Sequence, residues 1–109
     1  MVTVIFSRDS RKRLSSVLAE GHAGWADRGD DIVCAAVSGI LLATRAGLED
    51  YAKVDLKVTQ STGKLRLEVP AGRRDDEAVK AILATAELSI KQIAKQNRKH
   101  VAYERSSRK

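Results

Sequence analysis

The chain has 109 residues, 43% hydrophobic and 31% charged, which suits one compact domain over residues 1–109 and excludes both a disordered chain and a membrane protein. Its longest uncharged run, thirteen residues between Asp31 and Arg45, is shorter than the ~18 a membrane-spanning helix needs. The stretch Val2 to Phe6 is too brief for a signal-peptide core, and a single cysteine excludes an internal disulfide and a C-x-x-C metal site, so a cytoplasmic protein without metal or cofactor is expected.

In chain order, VTVIFS is rich in β-branched residues and runs into the polar turn DSRKR, and LSSVLAEG can pair back with it as a hairpin. The stretch Gly21 to Asp31 holds Gly21, Gly24 and Gly29 beside Asp27, Asp30 and Asp31, the composition of a loop. From Ile32 to about Tyr51 the period changes to 3.6. Val33, Ala36, Val37, Ile40, Thr44, Gly47, Leu48 and Tyr51 form one stripe of an amphipathic helix, with Asp31 placed as its N-cap.

Clean alternation comes next: Val54, Leu56 and Val58 against Asp55, Lys57 and Thr59, then the turn Ser61-Thr62-Gly63, then Leu65, Leu67 and Val69 against Arg66 and Glu68. That is a hairpin with one wet face. After Pro70-Ala71-Gly72 the acidic Asp75, Asp76 and Glu77 open a second helix, with Val79, Ile82, Leu83, Ala86, Ile90 and Ile93 as its buried stripe. Val101 and Tyr103 fit either a short edge strand or a frayed tail. The order ββαββα predicts an α+β two-layer sandwich, an antiparallel or mixed sheet covered by two helices, with a short C-terminal strand left open.

The net charge of +6 is unevenly distributed. Residues 1–90 carry 13 basic and 13 acidic side chains, whereas Lys91, Lys95, Arg98, Lys99, Arg105, Arg108 and Lys109 face Glu104 alone. The surplus belongs to the C-terminal end, most densely to residues from about 98 to 109, and suits a phosphate-bearing partner.

Cys34 is the candidate nucleophile. With Asp31 as cap it falls in the first helical turn, where unpaired N–H groups and the helix dipole favour a thiolate and can receive an oxyanion. His22, on the glycine-bracketed loop, becomes its general base if the loop folds back over the helix start. Ser38 follows Cys34 by one turn on the same face. Composition alone also fits a cysteine serving as a small buried hydrophobe, a loop histidine with no task, and Asp31 and Ser38 as cap and packing residue.

The stretch GHAGWADRGDDIVCAAVS, Gly21 to Ser38, resembles the signature G-H-A-x-x-x-x-x-G-x-D-I-V-C-A-x-V-S of the bacterial Prp (YsxB-like) family of ribosomal-processing cysteine proteases. Trp25 stands where that family often has tyrosine, and the likeness extends through GLEDY, Gly47 to Tyr51. The resemblance implies a cysteine endopeptidase with Cys34 as nucleophile and His22 as its partner. It also implies supporting or substrate-binding positions at Asp31 and Ser38, and a flexible loop over the site, Ala23 to Asp30 with its flanking Gly21. The implied substrate is the precursor of large-subunit ribosomal protein twenty-seven, whose N-terminal extension is removed, and the implied assembly is a homodimer. The strongly basic C-terminal end departs from the family pattern.

Two other classes compete with this reading. A non-enzymatic ribosome- or RNA-associated module would use the basic end for contact with ribosomal RNA, although Phe6, Trp25, Tyr51 and Tyr103 form no RNA-binding aromatic motif. A thiol redox sensor would need a second, resolving cysteine.

Overall fold

The computed structural model describes residues 1–21 and 28–107, without the side chains of 28–31. The first two strands, β1 (Val2–Arg8) and β2 (Leu14–Glu20), form the expected antiparallel hairpin, with Thr3 opposite Glu20 and Phe6 opposite Val17. Helix α1 spans Arg28–Ala46 and runs into a single π turn, Gly47–Tyr51. Strands β3 (Lys57–Ser61) and β4 (Lys64–Glu68) make the second hairpin. A 3₁₀ turn at Ala71–Arg73 leads to α2, Glu77–Gln96, and then to β5, Val101–Ser107.

The sheet order is β3-β4-β2-β1-β5, antiparallel throughout except for the β1–β5 pair, which is parallel. The C-terminal segment is therefore a full edge strand, with Val101 opposite Val2 and Ser107 opposite Arg8. Strand alternation sends Val2, Val4, Phe6, Val17, Ala19 and Leu67 to one face, where all are buried. Helices α1 and α2 cover that face through Val33, Val37, Leu41, Ala86 and Ile90. The uncovered face carries residues such as Thr3, Thr59, Arg66 and Glu68, none of them fully buried. This is an α+β two-layer sandwich. A second apolar cluster, Leu48, Val54, Val69, Val79 and Leu83, closes the end where the π turn meets α2.

The stripe of α1 differs from the expected one. Val33, Val37, Leu41, Thr44 and Leu48 are buried, a run spaced four, four, three and four, whereas Ala36 faces solvent and Tyr51 is 79% exposed. Leu41 belongs on the stripe in their place. The π turn explains Tyr51: the Ala52 N–H donates to the Gly47 carbonyl five residues back at 2.9 Å, and the wider turn rotates the residues after Leu48 off the α-helical phase. By length and composition, Ile32–Tyr51 is apolar enough to cross a membrane, with a mean hydropathy of 1.6. In the fold its stripe is spent on the core.

Candidate active site

Gly21 fixes where the chain leaves β2. Its N–H donates to the Gly63 carbonyl at 2.9 Å, and its φ of +91° lies in the left-handed region. A Cβ there would stand 2.6 Å from the Met1 carbonyl oxygen, so only glycine fits. One end of the molecule thus gathers Met1, the β3–β4 turn and the exit towards His22. His22, Gly24 and Trp25 lie outside the described residues, as does most of the loop assigned to Ala23 to Asp30.

Two expectations are corrected at the start of α1. Arg28, Gly29 and Asp30 are helical, so Gly29 belongs to the helix and not to a loop, and Asp31 lies within the first turn and not at the cap. The Asp30-Asp31 pair before an apolar run imitates a cap in sequence, but acidic residues are equally at home inside a first turn, where they complement the dipole. Cys34 is consequently the seventh helical residue, about 9 Å along the axis from the helix start at 1.5 Å per residue. With Arg28 already helical, the N–H groups that a helix start leaves unpaired lie before Asp31, which removes them as oxyanion donors adjacent to the thiol.

Cys34 is half-buried and forms no disulfide. Ser38, one turn on and on the same face, lines a groove of about 230 Å³ between α1 and the β3–β4 hairpin. Leu41 and Leu42 continue the α1 wall, and Gln60, Ser61, Lys64 and Leu65 form the opposite one. By helical spacing Cys34 stands at the N-terminal head of this groove. Leu42 is 63% exposed, an apolar surface beside the polar Gln60 and Ser61 and the Lys64 ammonium. These hairpin residues escape sequence reasoning, because the register that brings β3 and β4 to α1 is a long-range property. A larger apolar groove of about 340 Å³ runs between α1 and α2, lined by Ile40, Thr44, Ile82 and Thr85 among others. Its α1 wall begins at Ile40, six residues or about 1.7 helical turns from Cys34.

The charged clusters lie elsewhere. Arg8 at the far end of β1 grips Glu87 of α2 with two bonds of 2.9 and 2.7 Å, and Tyr103 donates to the same carboxylate at 2.8 Å. Burial pushes the Glu87 carboxyl up, but the bonds from Arg8 and Tyr103 outweigh it and hold it below the ordinary carboxylate range. Among the described residues no three His, Cys, Asp or Glu side chains converge as metal ligands.

A family model described as cysteine protease Prp matches residues 1–102. Among solved structures, SMU.848 from Streptococcus mutans is 29% identical with a TM-score of 0.86, the match covering 98% of this chain and 95% of that one. The essential ribosomal processing protease Prp from S. aureus, in complex with a substrate peptide, has the same fold: TM-score 0.86 at 20% identity, over 96% of this chain and 99% of that one. The S. aureus protease with a covalently linked product peptide superimposes with a TM-score of 0.84 at 20% identity, over the same shares of the two chains. No protein with a curated description matches the chain.

Proposed function

The chain belongs to the cysteine protease Prp family, and from that premise we propose that it is the endopeptidase that removes the N-terminal extension of large-subunit ribosomal protein twenty-seven. Cys34 is the nucleophile in this reading. Its sulfur attacks the scissile carbonyl, His22 takes the thiol proton and delivers it to the departing amine, and water then hydrolyses the thioester to free enzyme and carboxylate product. Asp31 and Ser38 support the site, and the groove along α1 receives the extended peptide. The observation that carries the reading is the position of the half-buried Cys34 one helical turn before Ser38, which lines a groove of about 230 Å³.

The reading includes a cytoplasmic homodimer. Support for the dimer comes from the outer face of α1, where Ile32, Ala35, Ala36 and Ala43 are exposed, an apolar surface that a second copy would cover. Light scattering across a dilution series checks it, a single monomeric mass at all concentrations being the contrary result.

The decisive test is a synthetic peptide spanning the extension and its junction. Cys34→Ala is expected to abolish cleavage with an unchanged circular dichroism spectrum, and iodoacetamide at neutral pH to alkylate the parent at Cys34 with matching loss of turnover. His22→Ala is expected to lose most turnover, at least a hundredfold for a general base, without a lower melting temperature. Cleavage surviving in Cys34→Ala would refute the assignment.

A further inference from the structure

Five basic side chains of the C-terminal region lie along one seam of the molecule. Lys91 and Lys95 are one turn apart on α2, about 6 Å along its axis, and Arg98 and Lys99 lie in the turn to β5. All four are exposed, as is Arg105 on β5. Arg105 shares the helix-side face of its strand with Val101 and Tyr103, and the Lys91 ammonium sits 5.7 Å from the centroid of the Tyr103 ring.

The charge of this seam is not cancelled. Of the seven arginines in residues 1–90 whose side chains are described, six, Arg8, Arg13, Arg45, Arg66, Arg73 and Arg74, are engaged in ion pairs. Among the described residues, none of Lys91, Lys95, Arg98, Lys99 and Arg105 is. The two nearby carboxylates do not change this. Glu87 is buried and held by the direct bonds of Arg8 and Tyr103, and Arg105 acts on it only through space, so one carboxylate stands against two guanidinium groups. Glu104 alternates to the opposite face of β5, next to Ile5 in register.

We propose that this seam binds the phosphodiester backbone of RNA. A row of uncompensated cations tracking an edge strand is what a polyanion of repeating phosphates requires. A bilayer would require a cluster of apolar side chains to insert, whereas the exposed large ones near the row, Leu88 on α2 and Met1 beside the turn, stand at different places along it. The choice of RNA over other nucleic acid rests on the proposed ribosomal substrate; the phosphate binding does not. The geometry adds an orientation. The Val2 N–H donates to the His100 carbonyl at 2.8 Å, so the Arg98–Lys99 turn abuts the same end at which Met1 meets Gly21 and the chain departs for His22. RNA held on the seam lies along the β5 edge, opposite in the sheet to the β3–β4 hairpin that walls the groove.

The test is fluorescence anisotropy with a labelled 20-nucleotide single-stranded RNA at 50 and 200 mM KCl. Five phosphate contacts correspond to a salt slope of about 3.5, at ~0.7 per contact on single strands, and to a loss of roughly two orders of magnitude in affinity between the two salts. The triple variant Lys95→Gln, Arg98→Gln, Lys99→Gln is expected to lower the slope by about two and to bind RNA at least tenfold more weakly at 50 mM. The triple variant Arg11→Gln, Lys12→Gln, Lys53→Gln removes the same charge away from the seam and is expected to bind like the parent. Both cleave the peptide at the parental rate. Equal weakening by the two variants would reduce the effect to net charge and overturn the proposal, as would retention by phosphatidylserine vesicles with no retention by RNA. Binding is also read with Cys34→Ala protein, so failure of the peptidase reading leaves the RNA result intact.

Discussion

Glu87 occupies a helical position between Leu83 and Ile90 where an apolar residue would be expected, and only 8% of it is exposed. A buried carboxylate is tolerated when its lone pairs are satisfied, and here three charged or polar donors meet it from β1 and β5. The arrangement ties three elements together at one atom group. Burial, then the bond to Glu87, pushes the Tyr103 hydroxyl up to about 12 from the ordinary 10.0. A raised acid favours the neutral, donating form, so its contribution is complete below pH 10 and is lost as pH rises through 12. Tyr103→Phe is expected to cost about 1.5 kcal/mol, the worth of a hydrogen bond to a charged group. The difference from the parent should narrow between pH 10 and 12. Urea unfolding of both proteins at pH 8 and pH 11 measures it, and a gap that stays constant would mean that the hydroxyl bond contributes nothing.

At the scale of elements, α1 does two jobs with one apolar run. Its first half carries Cys34 and Ser38 along the groove, and its last turn delivers Leu48, fully buried, to the second core cluster. The π turn matters because it places Leu48 against Val79 and Leu83 while letting Tyr51 swing out to solvent. Leu48→Ala is expected to destabilise the protein by about 3 kcal/mol, within the range for truncating a buried leucine, as measured by the urea midpoint. Peptide turnover per folded molecule should be unchanged, since the cluster lies more than three turns of helix from Cys34. A loss below about 1 kcal/mol would show that the site collapses around the missing side chain.

The same helix shows what can be read from a sequence. Both hairpins and the stripe of α2 are legible because their signals are local, a 3.6 period from Val79 to Ile93 and an alternation whose first strand starts later than expected, at Lys57, with Val54 and Leu56 before it and Ser61 in the strand and not the turn. The start of α1 is not, because Asp30-Asp31 resembles a cap as closely as it resembles an acidic first turn. Leu41 is missed because Ala36, Ile40 and Gly47 offer a rival stripe of almost equal apolarity, and burial against the sheet decides between them. The groove wall of Gln60, Ser61 and Lys64 has no local signal at all. It exists only once β4 pairs with β2 in the observed register.

For the molecule as a whole, pH should act through the far end of the sheet. Burial pushes the Asp9 carboxyl up, but the Arg13 N–H, the Arg74 guanidinium, the Arg11 N–H and the Arg13 guanidinium outweigh it and bring it down to about 2 from the ordinary 3.8. Glu87 is lowered as well. A lowered carboxyl contributes stability that is present above its unfolded pKa and lost as pH falls through the folded one. Melting temperature is therefore expected to hold steady from pH 7 to about 5 and to fall steadily from about pH 4 towards 2. Asp9→Asn should flatten this acid limb, and a limb of unchanged steepness in that variant would place its origin elsewhere.

The parallel pairing of β1 with β5 joins the opposite ends of the described chain, Val2 to Val101 and Arg8 to Ser107. During synthesis, β1 emerges first and can form its hairpin with β2 at once, yet its other edge has no neighbour until residues 101–107 have been made. Translation proceeds at about 5 to 20 residues per second, so the nascent chain carries an open strand edge for several seconds. Such an edge is a template for pairing with another chain. The partly built sheet is thus exposed to aggregation until residues 101–107 have been made, and β5 ends that exposure of β1 by taking the edge position itself, with the charged residues Glu104 and Arg105 on it.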